Sequence, residues 1–572
     1  MAVAIKHEID LAHPEETTPA VDAILGANPF VALSPRDTLR TLGQFLVNLA
    51  AHPEKFSSRF SELTFELMRI AAGASEIEPE ANDRRFSDPA FAENPVYRRL
   101  MQTYLAWRAA MHDLVGLAAE SDGKDWKTPA QERFAVTLMT EALAPTNLLW
   151  GNPAALKRAF DTAGMSLLYG ARNFIVDLFT NNGMPSQVDK RPFEIGRTIA
   201  ATPGAVIHRG NLCEVIQYRP ATPQVFERPV LLIPPQINKY YVMDMAPKRS
   251  FTEYAVGRGI QFFTVSWRNP GPQDRDLGLD DYVAACEEAA AIAAEVSGSP
   301  DINLAAVCAG GITSSLMLGH LAAHGDRRIN AATLIVTMLD SSEPSMTGMF
   351  ANEETVRAAV EASRAKGVLD AATMQRTFAW LRPNDLVWHY WVNNYLMGKD
   401  PAPFDILYWN SDSTNLPARL HAGFLEILLR NPLVEPGAAK ILDTPIDLSR
   451  FTGDMYVLAG MTDHICAWRA CHRAARLFGG HTEFVLSASG HVQSLVCPPG
   501  NFKMKYFTNP RLGDDPDQWM QGATEHKGTW WDNWLDWIEQ RSGAKRPAPA
   551  ELGGGRYKPI EPAPGSYVRG RP

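Results

Sequence analysis

The sequence predicts an α/β protein whose mostly parallel sheet carries helices on both faces, with a helical N-terminal domain and a helical lid insertion. Three observations support this prediction. From about residue 196, short apolar segments bounded by Gly or Pro alternate with helical segments, as in parallel sheets that are covered on both faces. Before that point, apolar residues recur at helical spacing. Between about 341 and 450 the alternation stops and aromatic residues accumulate.

The N-terminal domain is predicted to span residues 1–195. Residues 34–37 read Ser-Pro-Arg-Asp, a helix start with Ser as the N-cap and Pro in the first turn. Asn152-Pro153 predicts a second helix start. No catalytic constellation is found here, so a partner-binding, dimer-supporting or purely structural domain remains open.

The sheet domain is predicted over residues 196–545. Its strands are expected where apolar, β-branched segments lie between breakers, at residues 229–234, 260–265, 302–307, 332–337, 455–460 and 482–487. Residues 341–450 are predicted to form a lid, because long insertions at the carboxyl ends of strands commonly cover a site. An ordinary packed subdomain is the alternative. A Trp-rich helix precedes a Pro/Gly-rich tail at residues 546–572, which is expected to be extended or loosely ordered.

A reactive residue is predicted at Cys308. It follows an apolar strand and precedes Ala309, two glycines and a helical segment, the pattern of a nucleophile elbow in an α/β-hydrolase sheet. A lone Cys in an apolar stretch is more often a buried core residue. The charge-free span 304–323 has the length of a membrane helix, but its glycines and hydroxyl residues argue against that interpretation.

Two further residues complete a predicted catalytic triad. Asp463 follows the strand at 455–460, and His491 follows the next strand, so the order nucleophile, acid, histidine matches that of α/β-hydrolases. The histidine would convert the Cys308 thiol into a thiolate, and the carboxylate would orient the imidazole. The N–H of Ala309 and one from the loop at 234–238 would stabilise the oxyanion. His464 is a weaker candidate for a supporting group.

Composition excludes several function classes. The net charge of −9 is spread along the chain without a basic stripe, so nucleic acid is not an expected partner. No phosphate-binding loop, dinucleotide fingerprint or metal-ligand spacing occurs, and we expect no metal and no cofactor. The six cysteines are far apart, and the N-terminus lacks an apolar signal core; both features favour a reduced cytoplasm without a transmembrane segment. A cysteine nucleophile exchanges readily with thioesters, which favours an acyl-CoA substrate.

From about residue 145 onward, the sequence resembles the polyhydroxyalkanoate synthases, which polymerise (R)-3-hydroxyacyl-CoA into polyester with release of CoA. The resemblance is carried by the sequences at residues 234–241, 265–270, 308–311, 383–388, 408–417, 458–465, 489–491 and 498–501. The length and the helical N-terminal domain resemble the single-polypeptide synthases of this family.

The resemblance implies roles for individual residues. Cys308 would carry the growing chain as a thioester, His491 would activate it, and Asp463 would help to activate the attacking 3-hydroxyl. Ile237 and Ala309 match the oxyanion-hole positions. The family also implies a homodimer, with the lid contributing to dimerisation, and cytoplasmic polyester granules as the surface at which the chain grows. CoA is then part of the substrate.

Two residues depart from the family pattern. Ala306 stands where Gly is common, and one added methyl group is expected to tighten the elbow without abolishing it. Cys497 replaces the usual Asn and could bring a second thiol near the site. Two alternatives to the synthase remain: a thioesterase or esterase that uses water on the same fold, and a non-catalytic granule scaffold.

Overall fold

A computed structural model describes residues 43, 53–81, 83–119, 127–343, 346–349, 351–374, 380, 383–463 and 465–570. The described chain divides into two compact units. The first contains residues up to 189 together with residues 380 and 383–403, and the second contains residues 190–374 and 404–570, within the described ranges. The predicted helix start at 34–37 and the candidate His464 lie outside the described residues.

The first unit is helical, as the sequence predicts. Its helices are α1 Pro53–Ala72, α2 Ala90–Glu93, α3 Pro95–Ala119, α4 Lys127–Ala142, α5 Pro153–Asp161 and α6 Met165–Thr180. The predicted start of α5 is confirmed: the Asn152 side chain accepts a hydrogen bond from the Ala155 N–H at 3.0 Å, which satisfies a free donor of the first turn. Phe86, Phe91 and Tyr104 are among the buried residues of one core cluster in this unit.

Residues 383–403 belong to the first unit, whereas the sequence pattern places them in the lid of the sheet domain. They contain two π-helical turns, Asn384–Trp388 and Trp391–Leu396. The Tyr395 hydroxyl donates a hydrogen bond to the buried Asp177 carboxylate at 2.8 Å. Residue Gly170 lies against Tyr395, because a Cβ at this position would be only 1.8 Å from the Tyr395 carbonyl oxygen. These contacts join positions that are more than 200 residues apart, so no local pattern could reveal them.

The second unit is built on an eleven-stranded sheet. Its strands are β1 Gly204–Arg209, β2 Cys213–Tyr218, β4 Val230–Ile233, β5 Phe262–Trp267, β6 Ile302–Val307, β7 Ile329–Ile335, β12 Asp454–Gly460, β13 Thr482–Ser487, β14 Lys505–Thr508, β15 Thr524–Lys527 and β17 Glu561–Pro562. Their order across the sheet is β15-β14-β13-β12-β7-β6-β4-β5-β2-β1-β17. Three short pairs complete the strands: β3 Gln224–Phe226 with β16 Lys545–Pro547, β8 Val368–Leu369 with β9 Leu416–Pro417, and β10 Lys440–Ile441 with β11 Thr444–Pro445.

The six predicted strands form the parallel centre of this sheet, β13-β12-β7-β6-β4-β5. Strand β5 begins and ends two residues later than predicted, and β7 begins three residues earlier. The flanking strands pair antiparallel and were not predicted. In the centre, β4, β5 and β6 are buried along their whole length, as expected for strands covered on both faces.

The remaining helices lie around the sheet and in the insertion at residues 341–450. They are α7 Phe251–Gly257, α8 Leu279–Ser297, α9 Ala309–Ala323, α10 Met346–Met349, α11 Glu353–Lys366, α12 Asp405–Asn410, α13 Ala418–Arg430, α14 Trp468–Ala474, α15 His491–Leu495, α16 Pro516–Gln521 and α17 Trp530–Glu539. The predicted Trp-rich helix is α17. Its Trp534 indole donates to the Thr333 hydroxyl of β7 at 3.0 Å and packs 4.6 Å from the Phe251 ring. The Trp530 indole donates to the Ser494 carbonyl of α15 at 2.7 Å, which links α17 to the helix that begins at His491.

The described part of the C-terminal tail packs against other residues of the second unit. Strand β17 extends the sheet beside β1, and the Lys239 ammonium, which is almost fully buried, donates to the Val568 carbonyl at 2.9 Å. The tail was expected to be either extended or loosely ordered, and its described part is extended. Among the described helices, none has the length and apolar character needed to cross a bilayer.

Candidate active site

Cys308 lies at a sharp turn between β6 and α9. Its backbone has φ +51° and ψ −120°, a conformation that costs energy for any residue with a Cβ and that commonly marks a functional site. The turn is held by the Cys308 N–H, which donates to Ile335 O at 3.0 Å, and by the Gly311 N–H, which donates to Cys308 O at 2.9 Å. The thiol therefore projects from a rigid turn at the carboxyl end of β6, where the sequence predicts the elbow.

The two glycines after Cys308 are required by close packing. A Cβ on Gly310 would lie 2.5 Å from the Pro234 carbonyl oxygen, and a Cβ on Gly311 would lie 2.0 Å from Thr337 Oγ1. Ala306, the predicted departure from the family pattern, is fully buried in β6, and the elbow is formed with its methyl group in place. Helix α9 thus approaches the loop after β4 more closely than larger residues would permit.

The structure brings Asp463 and His491 into direct contact. Asp463 follows β12, and His491 is the first residue of α15 after β13. The His491 Nδ1 lies 2.6 Å from Asp463 Oδ2, and both side chains are almost fully buried. The other carboxylate oxygen accepts hydrogen bonds from the N–H groups of Ile465 and Cys466, at 2.8 and 2.9 Å. Asp463 is therefore fixed on both oxygens, and it fixes the imidazole in turn.

The interaction of Cys308 with His491 shifts the pKa values of both groups in opposite directions. The pKa of the Cys308 thiol is lowered by a hydrogen bond from the Cys466 thiol and by the charge and hydrogen bond of His491, which together outweigh burial. Burial lowers the pKa of His491, but the negative charges of Asp463 and Cys308 outweigh it, so that the pKa is raised. Opposite shifts in a contacting pair favour the ionised form of both groups, and the thiolate is the reactive form of cysteine.

The predicted oxyanion loop after β4 is held by buried hydrogen bonds. The Thr414 hydroxyl donates to Gln236 O at 2.8 Å, and the Gln236 amide donates to Thr313 Oγ1 of α9 at 3.0 Å. The Trp267 indole donates to Pro234 O at 3.0 Å. Ile237 is buried on this loop, and Ala309 is buried at the start of α9. These are the two predicted oxyanion positions. Gly310 of α9 packs against the Pro234 carbonyl, so the loop that contains Ile237 begins beside the elbow.

One residue of the site was missed by the sequence prediction, and another that was suspected lies elsewhere. Cys466 contacts Cys308, and the signal for it was its position three residues after Asp463 in the same loop. Cys497 does not join this group: its sulfur lies 3.4 Å from Thr529 Oγ1 and donates to Ser494 O, and burial raises its pKa to about 12. The second thiol of the site is therefore Cys466.

Within the described residues, one cluster of side chains has the composition of a metal site. Ligand atoms of Asp463, Cys466 and His491 lie within 4.8 Å of one another. The Asp463 oxygens already accept three hydrogen bonds, one of them from His491 Nδ1. The same hydrogen bonds are those of a catalytic triad, in which the carboxylate orients the imidazole.

The parallel sheet, the elbow and the buried Asp463–His491 pair define a protein of the α/β-hydrolase fold class. A family model described as "alpha/beta hydrolase fold" matches residues 229–497. A second model, described as "Poly-beta-hydroxybutyrate polymerase (PhaC) N-terminus", matches residues 82–255.

Similar proteins identify the family. Poly(3-hydroxyalkanoate) polymerase 1 of Ectopseudomonas oleovorans is 44% identical over 552 residues, which cover 96% of this chain and 98% of that protein. Polymerase 2 of the same organism is also 44% identical, over 97% of this chain and 99% of its own length. The polymerase subunit PhaC of Cupriavidus necator is 38% identical over 88% of this chain and 85% of its own length. The chain belongs to the poly(3-hydroxyalkanoate) polymerase family.

Proposed function

We propose that the chain polymerises (R)-3-hydroxyacyl-CoA into a polyester and releases CoA, with Cys308 carrying the acyl chain. The observation that carries this proposal is the contact of the Cys308 thiol with His491, whose imidazole is held 2.6 Å from Asp463. The identity of 44% to a poly(3-hydroxyalkanoate) polymerase over 96% of the chain supports the choice of substrate and product.

In the first step, the Cys308 thiolate attacks the thioester carbonyl of the substrate. A tetrahedral oxyanion forms, and the N–H groups of Ala309 and Ile237 are the proposed donors that stabilise it. The carbon–sulfur bond to CoA then breaks, and the imidazolium of His491 supplies the proton that leaves with CoA. The attack exchanges one thioester for another, so the acyl group stays activated for transfer. The substrate brings its own activation, and no cofactor is proposed.

In the second step, the 3-hydroxyl of one acyl group attacks the thioester of another. An ester bond forms, the carbon–sulfur bond of the attacked thioester breaks, and its sulfur leaves as a thiolate. The hydroxyl proton passes to a base of the site, which can return it to that sulfur. Neutral His491 and the Asp463 carboxylate are both candidates for that base. The His491 imidazole is the better placed to accept a proton, because both Asp463 oxygens are already engaged as hydrogen-bond acceptors.

The partners proposed for the chain are a second copy of itself and the surface of a cytoplasmic polyester granule. Apolar side chains on α6 support a contact surface: Leu168, Ile175 and Phe179 are 63%, 54% and 81% exposed within the described structure. A Phe179→Glu variant is expected to bind polyester particles less well or to shift the monomer–dimer equilibrium. Co-sedimentation with polyester and analytical ultracentrifugation distinguish these two effects.

The test of this function compares Cys308→Ala with Cys497→Ala. Both substitutions remove one thiol, but Cys497 lies outside the site. With short- and medium-chain (R)-3-hydroxyacyl-CoA, CoA release and insoluble polymer are expected from the wild type and from Cys497→Ala, and from Cys308→Ala neither. Polymer formation by Cys308→Ala would contradict the proposed nucleophile. CoA release that yields only free hydroxy acid would identify a thioesterase, and a wild type that forms no acyl adduct at all would favour a scaffold.

A further inference from the structure

A second thiol touches the proposed nucleophile. Cys466 lies in the loop after β12, and its thiol is a side-chain hydrogen-bond partner of Cys308. The Cys466 sulfur also lies within 4.8 Å of ligand atoms of Asp463 and His491. The proposed acylation and transfer steps form a covalent bond to one sulfur only, so Cys466 takes no covalent part in them.

The backbones of both cysteines are held in defined conformations. The Cys466 N–H donates to Asp463 Oδ1 at 2.9 Å, and the Cys466 carbonyl accepts a hydrogen bond from the Cys471 thiol at 3.7 Å. Cys308 is fixed by the elbow between β6 and α9. Cys466 is only 4% exposed, whereas Cys308 is partly accessible. A small oxidant that enters the site therefore reaches Cys308 first and finds Cys466 beside it.

We propose that Cys308 and Cys466 form a reversible disulfide when the protein meets hydrogen peroxide. All six cysteines of the chain are free thiols in the structure, so both partners are available for oxidation. The inactivation that follows rests on the proposed function, since it requires Cys308 to be the nucleophile. The disulfide itself does not depend on that function, because it is detected chemically.

The chemistry proceeds in two balanced steps. The Cys308 thiolate attacks one peroxide oxygen; the S–O bond forms, the O–O bond breaks, and the leaving hydroxide takes a proton from the His491 imidazolium to give water. The Cys466 thiol then loses its proton to neutral His491 and attacks the Cys308 sulfur. The S–S bond forms and the S–O bond breaks, and hydroxide leaves as a second water by taking up that proton. Two thiols are oxidised to a disulfide, and one peroxide is reduced to two waters.

The arrangement favours each step for a physical reason. Hydrogen bonds and the charge of His491 lower the pKa of Cys308 and so favour its thiolate, and thiolates are the form that peroxide oxidises. The same hydrogen bond raises the pKa of the Cys466 thiol, so Cys466 remains a thiol until Cys308 is oxidised. The disulfide occupies the nucleophile and protects it from irreversible oxidation to the sulfinic acid.

The test treats the full-length reduced protein with hydrogen peroxide, blocks free thiols with iodoacetamide and maps the digested protein by mass spectrometry. We expect a Cys308–Cys466 linked peptide, a protein mass lower by two hydrogen atoms, and a loss of CoA release that dithiothreitol reverses. Cys466→Ser keeps a hydroxyl donor beside Cys308 but cannot form the bond. In this variant the loss is expected to become irreversible, with Cys308 gaining two oxygen atoms.

The matched control is Cys471→Ser, which alters a neighbouring buried thiol that donates to Cys466 O and is expected to respond as the wild type does. A disulfide between Cys466 and Cys471, or a Cys466→Ser variant whose Cys308 forms no sulfinic acid in excess peroxide, would overturn the proposal. If a variant fails to fold, peptide mapping of the oxidised wild type still shows which two cysteines are joined. A Cys308–Cys466 disulfide in a chain without polymerase activity would contradict the proposed function and leave the disulfide standing.

Discussion

Replacement of Asp463 by Asn tests how the buried carboxylate controls His491. Asp463 Oδ1 accepts from two backbone N–H groups, at 2.8 and 2.9 Å, and Oδ2 accepts from His491 Nδ1 at 2.6 Å. An Asn side chain has one oxygen and one NH₂ group, and the two backbone donors would keep its oxygen in the Oδ1 position. The NH₂ group would then face Nδ1, so the imidazole proton would move to Nε2. In that tautomer His491 cannot accept the proton of Cys308.

The expected loss follows from two effects. A thiol without its ion pair is only a few per cent ionised at neutral pH, so the thiolate population falls by about 30-fold. In a serine triad, the corresponding change to Asn lowers kcat by about 10⁴, because the histidine is held in the wrong tautomer. A cysteine depends less on its base, and we expect the kcat of Asp463→Asn to fall at least about 100-fold, which is about 2.7 kcal/mol in activation free energy.

The assay is CoA release at pH 7 with saturating (R)-3-hydroxyacyl-CoA, together with the melting temperature of each variant. Asp463→Asn keeps both backbone hydrogen bonds, so its melting temperature is expected to stay close to that of the wild type. Asp463→Ala loses those bonds as well and serves as the comparison for destabilisation. A loss in kcat of less than tenfold for a folded Asp463→Asn would refute the reasoning about the tautomer.

Three further predictions follow from the elbow and its loop. Iodoacetamide is expected to alkylate Cys308 rapidly at pH values well below 9.0, the ordinary thiol pKa, because the lowered pKa keeps the thiolate present until the medium becomes acidic; the measurement is the labelling rate against pH. Gly310→Ala places a Cβ 2.5 Å from Pro234 O and is expected to cost about 1–3 kcal/mol by overpacking, measured by denaturant unfolding. Thr414→Val removes the 2.8 Å hydrogen bond to Gln236 O and is expected to cost about 1 kcal/mol, or about fivefold in kcat if the loop is needed in the transition state.

Each of these predictions has a control in the chain. Asp463→Asn is expected to move the alkylation profile of Cys308 to higher pH, and an unchanged profile would contradict the ion pair. Gly257→Ala adds the same methyl group where no atom lies within 4 Å, so it is expected to be tolerated. Thr414→Ser retains the hydroxyl and is expected to behave as the wild type; equal losses in the Ser and Val variants would show that the hydrogen bond is not the cause.

The elements that the sequence predicted well are those with a strong local signal. The apolar run of β6 followed by Cys308, Ala309 and two glycines predicted a strand, a sharp turn and a helix, and the structure has all three. Asp463 and His491 were predicted from their positions after two late strands, and they are in contact. Parallel strands align their carboxyl ends at one edge of a sheet, so residues that follow such strands meet there whatever their separation in sequence.

Other features could not be predicted because they depend on contacts between distant segments. The short edge strand β17 pairs with β1 more than 350 residues away, and neither its Pro-rich sequence nor its two-residue length signals a strand. Residues 383–403 carry the same aromatic-rich pattern as the rest of the insertion, yet the bond from Tyr395 to Asp177 joins them to the helical unit. A local pattern specifies a buried face, and it does not specify which partner covers that face.

The sequence by itself determined the fold class, the order of the proposed catalytic residues and the resemblance to the polyester synthases. Only the tertiary structure decided that the thiol beside Cys308 belongs to Cys466, while Cys497 contacts Thr529. Both cysteines follow a triad residue by a few positions, so the sequence could not distinguish them. The direction of each side chain depends on the turn that follows its strand, and the turn after β12 is set by the two N–H groups that bind the Asp463 carboxylate.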